Sequence, residues 1–318
     1  MSSKAFVSII IPCKDIDDCT RECIEYCRKL DYDSFEIILL PDYSNLLIDG
    51  VRIISTGPVP PGVKRNIGMD ASKGEYCAFI DNDAYPRSDW LTNALKYLED
   101  PDVGGVGGPG LTPESDGFMQ KSGGYILSSF MVGHLSTRYK TKLCFESDDI
   151  HSCNFIARKS VLKEAGGWNR KYWPGEDTLM CFAIKKLGKK LVESSDIVVY
   201  HHRRSLFKPH LKQISRFGEH RGFFAKKYPK NSMKLTYFFP SLIVSFLLAG
   251  TVLCMIIPFF VNIVLFGVAL YFVSSLVAAA LQVKNVKLLL LVWLGIILTH
   301  LVYGSFFIYG LAKRDLKQ

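Results

Sequence analysis

The sequence predicts an α/β domain, a mostly parallel sheet with helices on both faces, followed by helices that cross a membrane. Three observations lead there. Short β-branched runs without polar alternation recur between helical stretches, as in sheets buried on both faces. Two acids one residue apart, Asp81 and Asp83, stand directly after one of those runs, where α/β sheets place their ligands. Beyond Lys234 nearly every residue is apolar.

Val7 to Ile11 is the first run, closed by Pro12; Asp17 to Leu30 has helical character and Phe35 to Leu40 is the second run. Arg52 to Ser55 is expected to be extended and Lys64 to Ser72 helical, after the breakers Gly57, Pro58, Pro60, Pro61 and Gly62. Tyr76 to Ile80 makes a fourth strand, Ser88 to Leu98 a helix, and Val103 to Gly110 a strand and turn. Gly104, Gly105, Gly107 and Gly108 lack the Lys-Ser/Thr of a phosphate loop, so they serve close backbone approach or a flexible turn. Phe155 to Ala157 reads as a strand, Ser160 to Ala165 as a short helix, Asp177 to Leu187 as a longer one ending at Gly188, and Leu191 to Tyr200 as a closing extended segment.

The 318 residues leave room for one domain of roughly 200 to 250 residues plus an appendage. Composition divides the chain at 1–204, 205–234 and 235–318. The formal charge is +9, and between His201 and Lys234 ten Lys or Arg stand against one acid, Glu219, so this stretch alone accounts for it. Phe207, Leu211, Ile214, Phe217, Phe224 and Tyr228 fall near one helical face, with Lys212, Arg216, Lys226 and Lys227 largely off it. Either a basic amphipathic helix in the headgroup layer or a helix packed on the domain gives that pattern. Placed directly before apolar spans, the charge points to anionic membrane lipids, and nucleic acid is not an expected partner. Nine cysteines without a CxxC pair or Cys/His spacing give no zinc framework; Cys19, Cys23 and Cys27 share one face of a helix in a reduced protein.

Apolar stretches near 238–257, 261–281 and 288–311 each have about the 20 residues that cross a bilayer core, and between Leu235 and Ala312 the only charged residues are Lys284 and Lys287. Met1 to Phe6 carry no charged-then-apolar signal segment, so the α/β domain is expected in the cytoplasm, on an integral protein of the cell membrane. Two spans return Lys284 and Lys287 to that side, but a third sends Lys313, Arg314 and Lys317 outside, against the positive-inside bias. One stretch is then interfacial or re-entrant, or the bias is broken.

Asp81 and Asp83 at a strand's carboxyl end suit a hard divalent cation, Mg²⁺ or Mn²⁺, held by one or two carboxylates while diphosphate oxygens complete its shell. An Asp-x-Asp alone is also common in solvated turns. Six segments, one of them containing the pair, give it its context: Val7-Ser-Ile-Ile-Ile-Pro12, Glu36-Ile-Ile-Leu-Leu-Pro-Asp42-Tyr-Ser44, Arg65-Asn-Ile-Gly68 with Gly74-Glu-Tyr-Cys-Ala-Phe-Ile-Asp-Asn-Asp83, and Gly166-Gly-Trp168 with Gly175-Glu-Asp177.

In order and spacing these motifs resemble family 2 glycosyltransferases, over roughly Val7 to Ser205. The resemblance implies a GT-A fold, a nucleotide-sugar donor, probed first as a UDP-sugar, and inversion at the anomeric carbon. By position it assigns Pro12, Lys14, Asp15 and Asp42 to the base and ribose, Arg65 and Asn82 to the nucleotide sugar, Asp81 to ribose or metal, and Asp83 to the metal as principal ligand. Pro41 departs from the family's paired acids and leaves Asp42 alone. Turn capping is the plain alternative for Asp15 and Asp42. Asp177 becomes the general base, with Glu176 beside it in the catalytic pair; helix capping is the alternative for Asp177.

A base is needed by a hydroxyl but not by an ionised lipid phosphate, so the acceptor is expected to be a hydroxyl of a membrane-associated or lipid-linked glycan. A polyprenyl-phosphate sugar synthase is the enzyme alternative, and an inactive scaffold or sugar-binding subunit the alternative of another class; a homo-oligomer is compatible with either. His134 to Asp149, polar and patternless, suits an acceptor loop, and His151 to Asn154 either lines the acceptor site or is an ordinary loop. His201, His202, Arg203 and Arg204 either meet the diphosphate and metal, with His202 as the metal histidine, or begin the basic collar. Gln213, Arg216 and Phe217 resemble the Gln-x-x-Arg-Trp of processive synthases except for Phe in place of Trp, and processivity is not expected.

Overall fold

The structure, a computed structural model, describes residues 4–133 and 144–316; residues 134–143 of the expected acceptor loop lie outside the described residues. In chain order the elements of the first half are β1 (Val7–Pro12), α1 (Asp18–Arg28), β2 (Phe35–Leu40), β3 (Val51–Ile53), α2 (Pro61–Ala71), β4 (Tyr76–Phe79), β5 (Ala84–Pro86), α3 (Trp90–Leu98), β6 (Val103–Gly107), β7 (Gly110–Leu111), α4 (Phe118–Ser128) and α5 (Phe130–Gly133). The second half adds β8 (Phe145–Glu146), β9 (Phe155–Arg158), α6 (Lys159–Glu164), α7 (Glu176–Lys186), β10 (Lys190–Glu193), β11 (Val199–His201), α8 (Lys208–Lys227), α9 (Pro229–Ser232), α10 (Leu235–Ile256), α11 (Phe259–Ala280) and α12 (Val286–Ala312). Contacts divide the described residues into two units, 4–113 with 144–202, and 114–133 with 203–316. The helical segment α4–α5 thus groups with the C-terminal third of the chain.

The first unit is an eight-stranded sheet in the order β3-β2-β1-β4-β9-β6-β10-β8. Its β3-β2-β1-β4 half is parallel, as the apolar runs predict. The other half is mixed, because β9 lies antiparallel between β4 and β6, while β10 is parallel to β6 and antiparallel to β8. Successive residues of a strand face opposite sides, and here both sides are covered. Ile9, Ile11, Ile37 and Leu39 pack with Cys23 and Cys27 of α1 and Trp90 and Leu98 of α3. Ile10, Ile38 and Leu40 pack with Met69 of α2, Leu162 of α6 and Met180 and Ile184 of α7.

Local signals set the helix ends. Asp17 caps α1, its carboxylate accepting from the Thr20 amide at 2.9 Å, and Pro61 opens α2, where a missing N–H costs nothing. Gly68 lets α2 press on the sheet: a Cβ there would lie 2.6 Å from Ile10 and 2.8 Å from Leu40. The glycines of β6 serve close approach too, since a Cβ on Gly107 would lie 2.3 Å from the Asn154 carbonyl oxygen. A second sheet, β5-β11-β7, gathers residues that the sequence leaves as turn and tail, with β11 antiparallel to β5 and parallel to β7.

The second unit is helical. Its three long apolar helices, Leu235–Ile256, Phe259–Ala280 and Val286–Ala312, meet the length and composition needed to cross a membrane. Ile126 of α4, Leu206, Ala278 and Ala279 of α11, and Val292 and Ile296 of α12 form an apolar cluster within it.

Asn154, which the sequence leaves open between the acceptor site and an ordinary loop, is buried: its Nδ2 donates to the Ile197 carbonyl at 2.8 Å and its Oδ1 accepts from Trp90 Nε1 at 2.8 Å. Asn154→Ala leaves two buried groups unpaired, and is expected to cost about 1–3 kcal/mol of stability. Thermal unfolding of the detergent-solubilised protein reads this as a lowered midpoint; an unchanged midpoint contradicts the structural role.

Candidate active site

Arg65 sits at the middle of the site. It lies on α2, its side chain is 3% exposed, and its two terminal nitrogens donate to separate carboxylates: Nη1 to Glu176 Oε1 and Nη2 to Asp81 Oδ1, each at 2.8 Å. Its guanidinium also lies 5.1 Å from the centre of the Trp168 ring. The neighbouring Asn66 fixes that tryptophan's backbone, giving its Nδ2 to the Trp168 carbonyl and accepting the Trp168 amide, both at 2.8 Å. The Arg65-Asn-Ile-Gly68 and Gly166-Gly-Trp168 motifs therefore lock one another. Burial opposes charge on Arg65, but Asp81 and Glu176 outweigh it and raise its pKa further.

Asp81 follows β4, and its backbone carbonyl accepts from Ala84 N in a turn that brings β5 back towards the strand ends. Asn82 donates to Thr20 Oγ1 at 3.0 Å and so faces the start of α1. Asp83 is held at both ends: its carbonyl accepts from His202 N at 2.9 Å and its Oδ1 lies 3.1 Å from His201 Nε2. Register explains the pairing, because β11 sets His201 opposite Ala84. His201 is therefore the histidine that faces the acids, while its neighbour His202 turns to Glu22 Oε2 at 2.8 Å. Burial disfavours a charged His201 ring, yet Asp83 beside it carries its pKa up to about 10.

Asp81, Asp83 and His201 each offer a ligand atom, all within 4.8 Å of one another, and form the one such cluster among the described residues. Two hard carboxylate oxygens and an imidazole fit a divalent cation.

The remaining expected contacts flank this cluster. Asp42 accepts from the buried Lys64 Nζ at 2.5 Å, and the same ammonium donates to the Cys13 and Leu40 carbonyls at 2.8 and 3.2 Å. Lys64 thus ties the ends of β1 and β2 together and takes one oxygen of Asp42. Pro12 ends β1 opposite Leu40, and the Lys14 carbonyl accepts the Asp42 amide at 2.9 Å. The Lys14 and Asp15 side chains are exposed, 4.0 Å apart. Glu176 and Asp177 open α7 after Gly175, whose φ of 114° suits glycine. Asp177 is half-buried, with Oδ1 accepting from the Thr178 amide at 2.8 Å, and the helix N-terminus favours both acids. A cavity of about 340 Å³ lined by Gly166, Trp168, Asn169, Arg170, Leu179 and Met180 contains none of these acids.

The family described as Glycosyl transferase family 2 matches residues 8–166, half of the chain. The chain belongs to this family. Among curated relatives, the pre-mycofactocin glycosyltransferase of Mycobacterium tuberculosis is 28% identical over 148 residues, which is 46% of this chain and only 31% of that protein. A Methanococcus voltae enzyme named dolichyl N-acetyl-α-D-glucosaminyl phosphate 3-β-D-2,3-diacetamido-2,3-dideoxy-β-D-glucuronosyltransferase is 22% identical over 242 residues, covering 70% of this chain and 74% of its own. The fold is that of a Pyrobaculum calidifontis mannosyltransferase solved with GDP-Man and Mn²⁺, with a TM-score of 0.67 at 14% identity over 99% of this chain and 89% of that one. The architecture of this family 2 chain is thus GT-A, with its C-terminal helices included in the match.

Burial pushes Glu176 up to about 7; Arg65 pulls the other way and Asp177 adds to the rise. The folded state therefore holds a proton that the unfolded chain, with an ordinary value of 4.5, has released. Stability from this group falls as pH climbs from about 4.5 to about 7 and is level above it. Relative to Glu176→Gln, the wild-type thermal midpoint should fall as pH rises across that window and keep a constant offset above it; a constant offset throughout, or a relative rise, would refute the raised value.

Proposed function

We propose that this protein is an inverting, metal-dependent glycosyltransferase that moves a sugar from a nucleotide-diphosphate donor to a hydroxyl of a membrane-associated or lipid-linked glycan. The observation that carries the proposal is the cluster of Asp81, Asp83 and His201, linked through the Arg65 guanidinium from Asp81 to Glu176 at the start of α7. Asp83 and His201, with Asp81, would hold the cation, and an imidazole in the set would suit Mn²⁺ better than Mg²⁺. Bound there, the cation offsets the negative charge of the diphosphate. Asp81 is oriented by Arg65, and Lys64 fixes Asp42 for the ribose or base, with Pro12, Lys14, Asp15 and Asn82 bordering the same strand ends.

Asp177 takes the proton of the acceptor hydroxyl as that oxygen attacks the anomeric carbon from the face opposite the departing nucleotide. Glu176, anchored by Arg65, positions α7 so that Asp177 meets the hydroxyl. A hydroxyl acceptor gives the base a task that a lipid phosphate would not, and the lipid-linked glycan in the Methanococcus relative's name agrees with it. The apolar helices hold the catalytic unit at the cytoplasmic face of the membrane, where such an acceptor is presented.

The test is a panel of UDP- and GDP-sugars with and without Mn²⁺, offered a lipid-linked glycan or a polyprenyl phosphate. Mn²⁺-dependent transfer to the glycan is expected. Asp83→Asn and Asp177→Asn should each lower transfer by about 10²-fold or more at an unchanged thermal midpoint. Full activity in both variants removes the mechanism, and transfer to the phosphate alone moves the protein to the other enzyme class.

A further inference from the structure

Of the three long apolar helices, α12 keeps different company from the other two. In its most apolar stretch 39% of residues are buried within the protein, against 17% in α10 and in α11. Part of that cover comes from α4, α10 and α11, and the rest from α8, which runs beside α12 in the same direction. His210 Nε2 bonds Thr299 Oγ1 at 2.9 Å near the start of the contact, and Lys226 Nζ donates to the Leu311 carbonyl at 2.8 Å near its end. At 1.5 Å per residue the shared length is about 20 Å.

The contact is backbone on backbone. A Cβ on Gly218 would lie 2.6 Å from the Tyr303 carbonyl oxygen, on Gly222 2.1 Å from that of Phe307, and on Gly310 2.0 Å from that of Glu219. No lipid chain and no change of depth fits between helices so close. Yet α8 carries seven charged residues: Lys208, Lys212, Arg216, Glu219, Arg221, Lys226 and Lys227. Carrying α12 through the bilayer would drag that set into hydrocarbon, where ionised groups are expensive. The part of α12 before the contact, residues 286–298, is about 20 Å long and too short for a core of about 30 Å.

We infer that α12 does not cross the membrane: it lies with α8 in the headgroup layer, and the α10–α11 hairpin alone enters the hydrocarbon. Its exposed Leu290, Leu294, Phe306 and Tyr309 meet the acyl chains, while the exposed Lys212, Arg216, Lys226 and Lys227 of α8 meet anionic headgroups. Both feet of the hairpin stand on α12. Ser241 of α10 donates to the Gly304 carbonyl at 3.3 Å, and Tyr271 and Ser275 of α11 bond His300 Nδ1 and Trp293 Nε1 at 2.8 and 3.0 Å. The hairpin tip, Met255 to Phe260, holds no charged residue. Lys284, Lys287, Lys313 and Arg314 all remain on the α8 side, Lys313 paired with Glu219, and the conflict with the positive-inside bias disappears.

The experiment places one epitope tag before Met1 and another after Gln318 of the full chain, expressed in a bacterial host. Protease is added to intact spheroplasts and to inverted membrane vesicles, after carbonate washing has shown that the tagged protein is integral. Both tags should be protected in spheroplasts and cut in inverted vesicles. Opposite protection of the two tags, the pattern of three crossings, overturns the inference. A third tag between Lys284 and Asn285 should follow the terminal ones, and its appearance on the far side would also overturn it.

Discussion

One buried cation organises the catalytic unit. A guanidinium out of water is tolerable only beside groups that offset its charge, and Arg65 has Asp81 on one terminal nitrogen and Glu176 on the other. The consequence is geometric. The middle of α2 and the carboxyl end of β4 are near one another in the chain, but the first turn of α7 lies 111 residues beyond Arg65, and all three must come to the same few ångströms. Trp168, stacked on Arg65 and fixed by Asn66, closes the remaining side.

A second constraint acts through the small sheet β5-β11-β7. Antiparallel pairing of β11 with β5 carries a histidine from the far end of the catalytic unit to the acids that follow β4. Because β5 begins immediately after Asp83, the same ladder fixes both partners. The cluster of two acids and one imidazole is thus a product of strand register, and the Arg65 bridge ties Glu176 at the start of α7 to Asp81 within it.

The elements legible in the sequence are those whose pattern is local. The apolar runs of β1, β2 and β4 were unambiguous, since strands buried on both faces show no alternation, and the caps and prolines around α1 and α2 marked their ends within a few residues. β5 and β11, three residues each, have no pattern of their own and exist only as partners. Candidate acids were readable from type and spacing, but Lys64 was not, because a lysine next to Arg65 on a helix looks solvated until the strand ends that it bonds are in place. The two histidines show the limit most sharply. His201 and His202 are adjacent, and in an extended segment adjacent side chains face opposite ways, so chemistry names the pair and register chooses between them.

The α/β character, the candidate acids, the basic stretch and the long apolar helices are legible in the chain alone, because each is a property of residues near one another in it. Only the tertiary structure decided that β9 runs antiparallel, that His201 joins Asp81 and Asp83, that Arg65 holds Glu176, and that α12 lies against the charged α8. Hydropathy scores one helix at a time and spacing scores one segment at a time. Pairing energies depend on which segments meet, and that is settled by the packing of the whole chain.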